Sequence, residues 1–278
     1  MNDIHIIAGY GNWGKKIALF CKKNKLFKKI IVFTRKQQFQ YFPELKKISK
    51  EELKSYFLKS SSIHICSSDN SHLKLLNKFY KLNKNIIVEK PFFANDKEYQ
   101  SSKNNFENKS IIVNYTDLFN PHFSKIVNFF GKKHQKNLSV EITYSYAKKK
   151  NQSLLNFFEC YIDHPLAIIL SLLNYFSSKK KILIQNKNIL IIHYFYPKII
   201  IKIIIKNSNL KKRLIILDNL KQKTKINLLN HSVNKSSFHN LYYRLLNKTN
   251  KNKFSLNFNK KLYKEKKFLL SLIKKNSN

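Results

Sequence analysis

Glycine is nearly absent from this chain: only four of its 278 residues are glycine, five are proline, and three are cysteine. Cys21, Cys66 and Cys160 are odd in number and far apart, so no disulfide framework and no CxxC metal pattern is available. A reducing cytoplasm is the expected compartment. No stretch reaches the roughly 18 to 20 uninterrupted apolar residues that a membrane helix needs. The richest run, Ile189 to Ile205, is broken by His193, Pro197, Lys198 and Lys202. Met1-Asn2-Asp3 lacks the basic start of a secretory signal, so neither membrane nor export is expected. No His/Cys/Asp cluster has metal-ligand spacing, and no metal is expected.

Arginine is scarce as well. All but three of the 54 basic residues are lysine; the exceptions are Arg35, Arg213 and Arg244. The net charge of +39 nevertheless raises nucleic-acid binding as a reading. Two features oppose it. The lysines are spread along the whole chain, and a nucleic-acid surface would also use arginine for bidentate contacts. The abundant residues (Lys, Asn, Ile, Phe, Tyr) have AT-rich codons and the scarce ones GC-rich codons. A compositional bias of the genome accounts for the charge better than a nucleic-acid partner does.

What remains is ordered. Ile4 to Ala8 is a short apolar run that reads as a buried parallel strand, and a helix follows to about Asn24. Strands are expected at Lys29 to Thr34, Ile63 to Ser67, Asn85 to Val88 and Ile111 to Tyr115. Helices are expected at Ser71 to Leu82 and Lys97 to Asn105. This alternation implies right-handed βαβ units and a parallel sheet. After Tyr115 the texture changes. Helices at Pro121 to Phe130 and Leu154 to Tyr175 flank a strand at Leu138 to Tyr146. Strand candidates then follow in succession at Lys181 to Gln185, Ile189 to Tyr196, Ile199 to Lys206 and Leu214 to Leu217, which argues for a largely antiparallel sheet. Asp218 to Ser237 reads as loop, and Tyr263 to Lys274 as a last helix. The expected class is α/β: a doubly wound domain over residues 1–116, then an α+β domain over 117–278.

Three of the four glycines sit in one loop, Gly9-Tyr10-Gly11-Asn12-Trp13-Gly14, between the first strand and the first helix. That is the dinucleotide-binding (Rossmann) fingerprint. Gly9 permits the tight turn, Gly11 lets backbone approach a pyrophosphate, and Gly14 lets helix and strand pack closely. Asn12 and Trp13 open a helix whose N-terminal end faces the phosphates. The end of the second strand offers Thr34-Arg35-Lys36 where an NAD site usually offers an acid. Thr34 and Arg35 suit a 2′-phosphate, so NADP is the expected cofactor, with NAD possible.

The second motif is Glu89-Lys90-Pro91 at the end of a strand. Together with the glycine loop, Ser62 to Ser68, and Asn70-Ser71-His72, it resembles the Gfo/Idh/MocA family of glucose–fructose oxidoreductases, inositol dehydrogenases and nucleotide-sugar 3-dehydrogenases. Phe119-Asn120-Pro121 is similar to that family's crossover into its second domain. The resemblance covers nearly the whole chain, most closely to about Pro121; the chain is shorter than typical members, which implies a trimmed second domain. It implies hydride transfer between a nicotinamide and a hydroxyl or ketone of a sugar-like small molecule. It also implies a homodimer or homotetramer formed through the open face of the second sheet. Lys90 would reach nicotinamide and substrate. Ser67, Ser68, His72 and Glu89 would line the cofactor side, although context alone reads His72, like His122 and His193, as structural. His164 matches the family's catalytic histidine. The acid expected four residues earlier is Cys160, and the one expected after it is Ala167. A histidine titrates near neutral pH, and a lysine does so when buried beside charge, so Lys90 and His164 are a chemically reasonable proton-handling pair. Some relatives bind NADP as regulators without turnover, which is the alternative reading.

Overall fold

The computed structural model describes residues 4–34, 50–82, 85–102, 106, 111–131, 137–185, 188–219, 222–229, 237–246 and 256–276. They fall into two compact units. One is Met1–Asn114 with Leu241–Asn259, and the other is Tyr115–Asn240 with Lys260–Asn278. The sequence reading gave everything after 116 to the second domain. The packing instead returns one late segment to the first unit.

The first unit is built on strands β1 (Ile4–Ala8), β2 (Lys29–Phe33), β3 (Ser62–Ile65), β4 (Asn85–Glu89) and β5 (Ile111–Asn114). They form one parallel sheet in the order β2-β1-β3-β4-β5. Helices α1 (Asn12–Lys23), α2 (Lys50–Lys59), α3 (His72–Phe79) and α4 (Asp96–Ser101) make the connections. β1, β3, β4 and β5 are almost continuously buried, as a sheet covered on both faces requires, and the edge strand β2 buries only Ile31 and Val32. The chain runs outward from β1 in both directions. The carboxyl ends of β1 and β3 therefore flank the switch point at which doubly wound sheets bind ligands. The α2 helix was not expected from the sequence. The helix expected from Ser71 is framed by 3₁₀ turns at Asp69–Ser71 and Tyr80–Leu82.

The second unit begins with a 3₁₀ turn at Thr116–Phe119 and helix α5 (Phe123–Gly131). Its sheet holds β6 (Leu138–Tyr146), β7 (Lys180–Gln185), β8 (Ile189–Phe195), β9 (Ile199–Asn207), β10 (Lys212–Asp218) and β11 (Lys223–Asn227), in the order β11-β10-β6-β9-β8-β7. All pairings are antiparallel except β6 with β9. One sheet face is apolar and buried, with Val140, Ile142, Ile201, Ile203, Ile205, Leu190, Ile192, Ile215 and Leu217 at its centre. The long helix α6 (Leu154–Leu173) buries Phe157, Phe158, Ile162 and Leu166. Its N-cap is Ser153, which accepts from the Asn156 N–H, and its C-cap is Asn174 in the left-handed region. Pro165 lies inside α6, and His164 sits mid-helix. β11 lies within the segment read as loop: only Ile226 of its residues is buried, and an edge strand needs no more. Helix α7 (Ser237–Leu246) was not expected; α8 (Leu256–Asn276) starts earlier than the sequence suggested. No helix of the described residues is long and apolar enough to cross a membrane.

Candidate active site

The glycine loop shows three different demands on three glycines. Gly9 has φ +114°, and a Cβ there would stand 2.6 Å from the Cys66 carbonyl and the Ser67 nitrogen. A Cβ on Gly14 would meet the Gly9 carbonyl oxygen at 2.1 Å. Both are closed by the protein itself. Gly11 is the opposite case, with nothing within 4 Å of its Cβ position. Its side-chain space is open, as a site for close backbone approach by a pyrophosphate demands. Gly11 is the N-cap of α1, no side chain caps that helix, and its first turn holds no acid. The positive end of the helix is thus left for an anion. Asn12 and Trp13 open the helix and are exposed, Trp13 by 40%. The residues present fit a dinucleotide.

The neighbouring loops converge there. The Gly9 N–H donates to the Phe33 carbonyl at 2.8 Å, which brings Thr34 beside the turn. The Cys66 N–H donates to the Ala8 carbonyl at 2.8 Å, which places Ser67 and Ser68 on its other side. Ser71 Oγ lies 2.7 Å from both Ser67 Oγ and the Ser68 carbonyl. Arg35 lies outside the described residues. His72 is buried, with ring nitrogens 3.0 Å from the Pro91 and Ser67 carbonyls. It ties the loop after β3 to the loop after β4, so its part is to hold loops and not to meet a ligand. Lys90 follows β4 at the same sheet edge and is half-buried, and the Lys90–Pro91 peptide is cis.

Glu89 turns inward, contrary to a direct role in the cofactor cradle. Its Oε1 accepts from His64 Nε2 at 2.9 Å and from Asn114 Nδ2 at 2.7 Å. The chain of contacts continues from His64 Nδ1 to the Tyr242 hydroxyl at 2.8 Å and on to His5 Nε2 at 3.1 Å. It ends at Ser62 Oγ, 2.8 Å from His5 Nδ1. One proton per imidazole satisfies every link: His64 donates to Glu89, Tyr242 to His64, His5 to Tyr242, and Ser62 to His5. Burial, and then the neighbouring His64, hold the His5 pKa well below its ordinary value. Among the described residues, His64, Cys66 and Glu89 form the one group with possible ligand atoms within 4.8 Å of one another. The direct His64–Glu89 contact closes that pair without an ion.

The second unit carries a separate cluster around His164. The residue is 6% exposed, and its Nδ1 lies 3.1 Å from Asp117 Oδ2, at ion-pair distance. Asp117 is a hub. Tyr144 donates to its Oδ2 at 2.5 Å and Arg213 donates to its Oδ1 at 2.8 Å. Burial alone would raise the Asp117 pKa. The neighbouring His164 and the Arg213 guanidinium, with the Tyr144 hydrogen bond, overcome it and hold the carboxyl well below the usual range. The Tyr144 ring stacks beside the imidazole at 5.8 Å, and the Arg213 Nε also donates to the Tyr146 hydroxyl. Tyr146 in turn stacks on Tyr161 at 4.4 Å. Cys160 is exposed, and Ala167 is buried.

Sequence reading missed Asp117, Tyr144 and the partnership of Arg213. One signal was available: Asp117 is among only 15 acidic residues and directly precedes Leu118-Phe119-Asn120-Pro121. That segment is pinned, because Asn120 donates to the Leu228 carbonyl and Asn240 to the Phe119 carbonyl, both at 2.8 Å.

No family model and no curated protein matches this sequence. Solved structures do match. A dehydrogenase from Clostridium difficile superposes with a TM-score of 0.76 at 15% identity, covering 99% of this chain and 100% of that one. A Gfo/Idh/MocA family oxidoreductase from Vibrio cholerae gives 0.74 at 12% identity, covering 100% and 99%. The WlbA dehydrogenase from Thermus thermophilus, in complex with NAD and UDP-GlcNAcA, gives 0.72 at 10% identity, covering 96% and 94%. The chain therefore has the fold of these dehydrogenases from end to end.

Proposed function

We propose that this protein is a nicotinamide-dependent oxidoreductase of the Gfo/Idh/MocA kind. Its substrate would be a hydroxyl or ketone of a sugar, nucleotide sugar or similar small polar molecule. The observation that carries the reading is the open space at Gly11 inside a turn whose other two glycines are sterically closed. The opening lies at the uncapped, acid-free start of α1, where an anion is favoured. The structural neighbours include dehydrogenases, one of them holding NAD and a nucleotide sugar.

The nicotinamide, when bound, supplies the acceptor or donor of hydride. The chain's own residues do the rest. Gly11 and the start of α1 hold the pyrophosphate, with Ser67 and Ser68 alongside. Thr34 and Arg35 favour NADP over NAD, because no acid opposes a 2′-phosphate there. Lys90 orients the substrate hydroxyl, and His164 exchanges its proton. A homodimer or homotetramer and a cytoplasmic location, consistent with three free cysteines, complete the reading.

Cys160 and Ala167, which stand where acids were expected, favour one alternative, an NADP-binding regulator without turnover. A titration of the purified protein with NADPH, followed by turnover assays across a panel of sugars and nucleotide sugars, separates the two. Binding with turnover that His164→Ala abolishes supports the enzyme. Binding without turnover on any substrate supports the regulator. No dinucleotide binding overturns both.

A further inference from the structure

Resting on the reading of His164 as the proton-handling residue, we propose that Asp117 is its positioning carboxylate, standing in for the acid that α6 lacks at Cys160. The acid comes from a different element, the 3₁₀ turn after β5, and it reaches the imidazole across the second unit's own core.

Four observations support this. Asp117 is 2% exposed and sits 3.1 Å from His164 Nδ1, so the imidazole faces a carboxylate in a low-dielectric setting. Asp117 is itself locked: Tyr144 occupies one side of Oδ2 and Arg213 occupies Oδ1. Arg213 is one of three arginines in the chain, and its planar fork donates from Nη1 to Asp117 and from Nε to Tyr146, fixing both partners in one plane. Finally, Tyr144 stacks beside the imidazole and restrains its plane, within 17° of parallel. The titratable and charged groups gathered here are Asp117 from the turn, Tyr144 and Tyr146 from β6, Arg213 from β10 and Tyr161 from α6.

The consequence is a defined tautomer. With an ionised carboxylate at Nδ1, the neutral imidazole carries its proton on Nδ1, and Nε2 presents a lone pair. In alcohol oxidation the substrate O–H bond breaks and an Nε2–H bond forms, while the hydride leaves for the oxidised nicotinamide. The imidazolium so made is stabilised by Asp117. In ketone reduction the same proton returns. An asparagine at 117 would remove the charge and could hold the wrong tautomer through its NH₂ group.

Two measurements on the full chain test this. The first is ¹⁵N NMR of the His164 ring in the unmodified protein, assigned by its loss in His164→Gln. The expected result near neutral pH is a proton on Nδ1; a proton on Nε2 overturns the proposal, whether or not the protein has a substrate. The second is turnover. Asp117→Asn should lower kcat by roughly 10²- to 10⁴-fold and displace the pH–rate profile, with NADPH affinity within about twofold. Asp117→Glu should recover part of the loss. If His164→Ala abolishes turnover but Asp117→Asn leaves rate and profile unchanged, the positioning role is wrong and the proposed function stands. If the unmodified protein turns over nothing, the proposed function fails and the tautomer measurement alone decides this inference. If Asp117→Asn does not fold, that measurement again decides it.

Discussion

Gly14 faces the Gly9 carbonyl so closely that a Cβ on it would stand 2.1 Å from that oxygen, whereas a Cβ on Gly11 would touch nothing within 4 Å. The two positions should therefore fail differently. Gly14→Ala should destabilise the first unit, because backbone must move to admit the methyl group. Gly11→Val should leave thermal unfolding nearly unchanged and abolish dinucleotide binding, because the side chain fills the pyrophosphate's place. Cofactor fluorescence and a melting curve on both variants check this. A folded Gly11→Val protein with unchanged affinity would mean the loop is only a turn.

His5 gives the first unit a pH dependence. It is fully buried, stacked on Phe27 at 4.3 Å, and its pKa is held well below the ordinary 6.5. The unfolded chain then binds a proton that the folded chain refuses. Stability from this residue is complete above about pH 6.5 and declines as pH falls below that value. Urea unfolding of the unmodified protein should show a lower midpoint at pH 5.5 than at pH 7.5. The difference should shrink in His5→Phe, measured against the same variant's own pH 7.5 value. An equal slope in both proteins would assign the effect elsewhere.

Lys266 on α8 donates to Asp163 on α6 at 3.0 Å, and both are buried. The bond goes to Asp163 Oδ2, and among the described residues Oδ1 has no hydrogen-bond partner. Removing the cation leaves a buried carboxylate uncompensated, a loss of about 3 to 5 kcal/mol where such pairs have been broken. Lys266→Met should thus lower the second unit's stability strongly, and the double variant Lys266→Met/Asp163→Leu should recover much of it. A double variant as unstable as the single one would show that packing, not charge, is at stake.

Much of this architecture was legible because apolar runs and glycines mark it directly. Ile4 to Ala8, Asn85 to Val88 and Leu138 to Tyr146 are continuous or alternating apolar segments; the first and last strands begin and end where those patterns do, and β4 runs one residue further, to Glu89. What was hidden is what depends on long-range pairing. The parallel β6–β9 contact joins strands separated by a helix and a hairpin, which no local pattern reports. The α7 segment carries Tyr242 into a hydrogen-bonded chain with His5 and His64, more than 170 residues away in sequence. At the candidate site the glycine loop was readable as a contiguous motif. The carboxylate facing His164 was not, because the fold supplies Asp117 from a different element, 47 residues earlier in the chain than His164.

The outer face of the second sheet predicts self-association. Phe195 and Ile200 pair across β8 and β9 and are 38% and 46% exposed, with Leu183 on the same face. Phe195 and Ile200 form a small exposed apolar patch bordered on the same face by His193 and Lys202, and a second copy of the chain offers a matching one. Sedimentation should show a dimer or larger species, and Phe195→Asp/Ile200→Asp should shift it to monomer without loss of helix or strand signal. A monomeric unmodified protein at tens of micromolar would exclude the interface.

Cofactor choice is the sharpest test of the reading at the end of β2. Thr34 follows Phe33, whose carbonyl accepts from the Gly9 N–H, so Thr34 lies beside the glycine turn. No acid is present in Thr34-Arg35-Lys36 to hold a free ribose diol or to repel a 2′-phosphate. NADPH should therefore bind more tightly than NADH. A charge-assisted contact from Arg35 contributes about 1.5 to 3 kcal/mol, which corresponds to roughly 10- to 150-fold in affinity. Arg35→Ala should remove most of that preference by weakening NADPH alone, and raising the salt concentration should erode it in the unmodified protein, since an exposed charge pair is screened. If the two cofactors bind equally before any substitution, Thr34 and Arg35 do not read the 2′ position, and the structural neighbour solved with NAD becomes the better guide to this site.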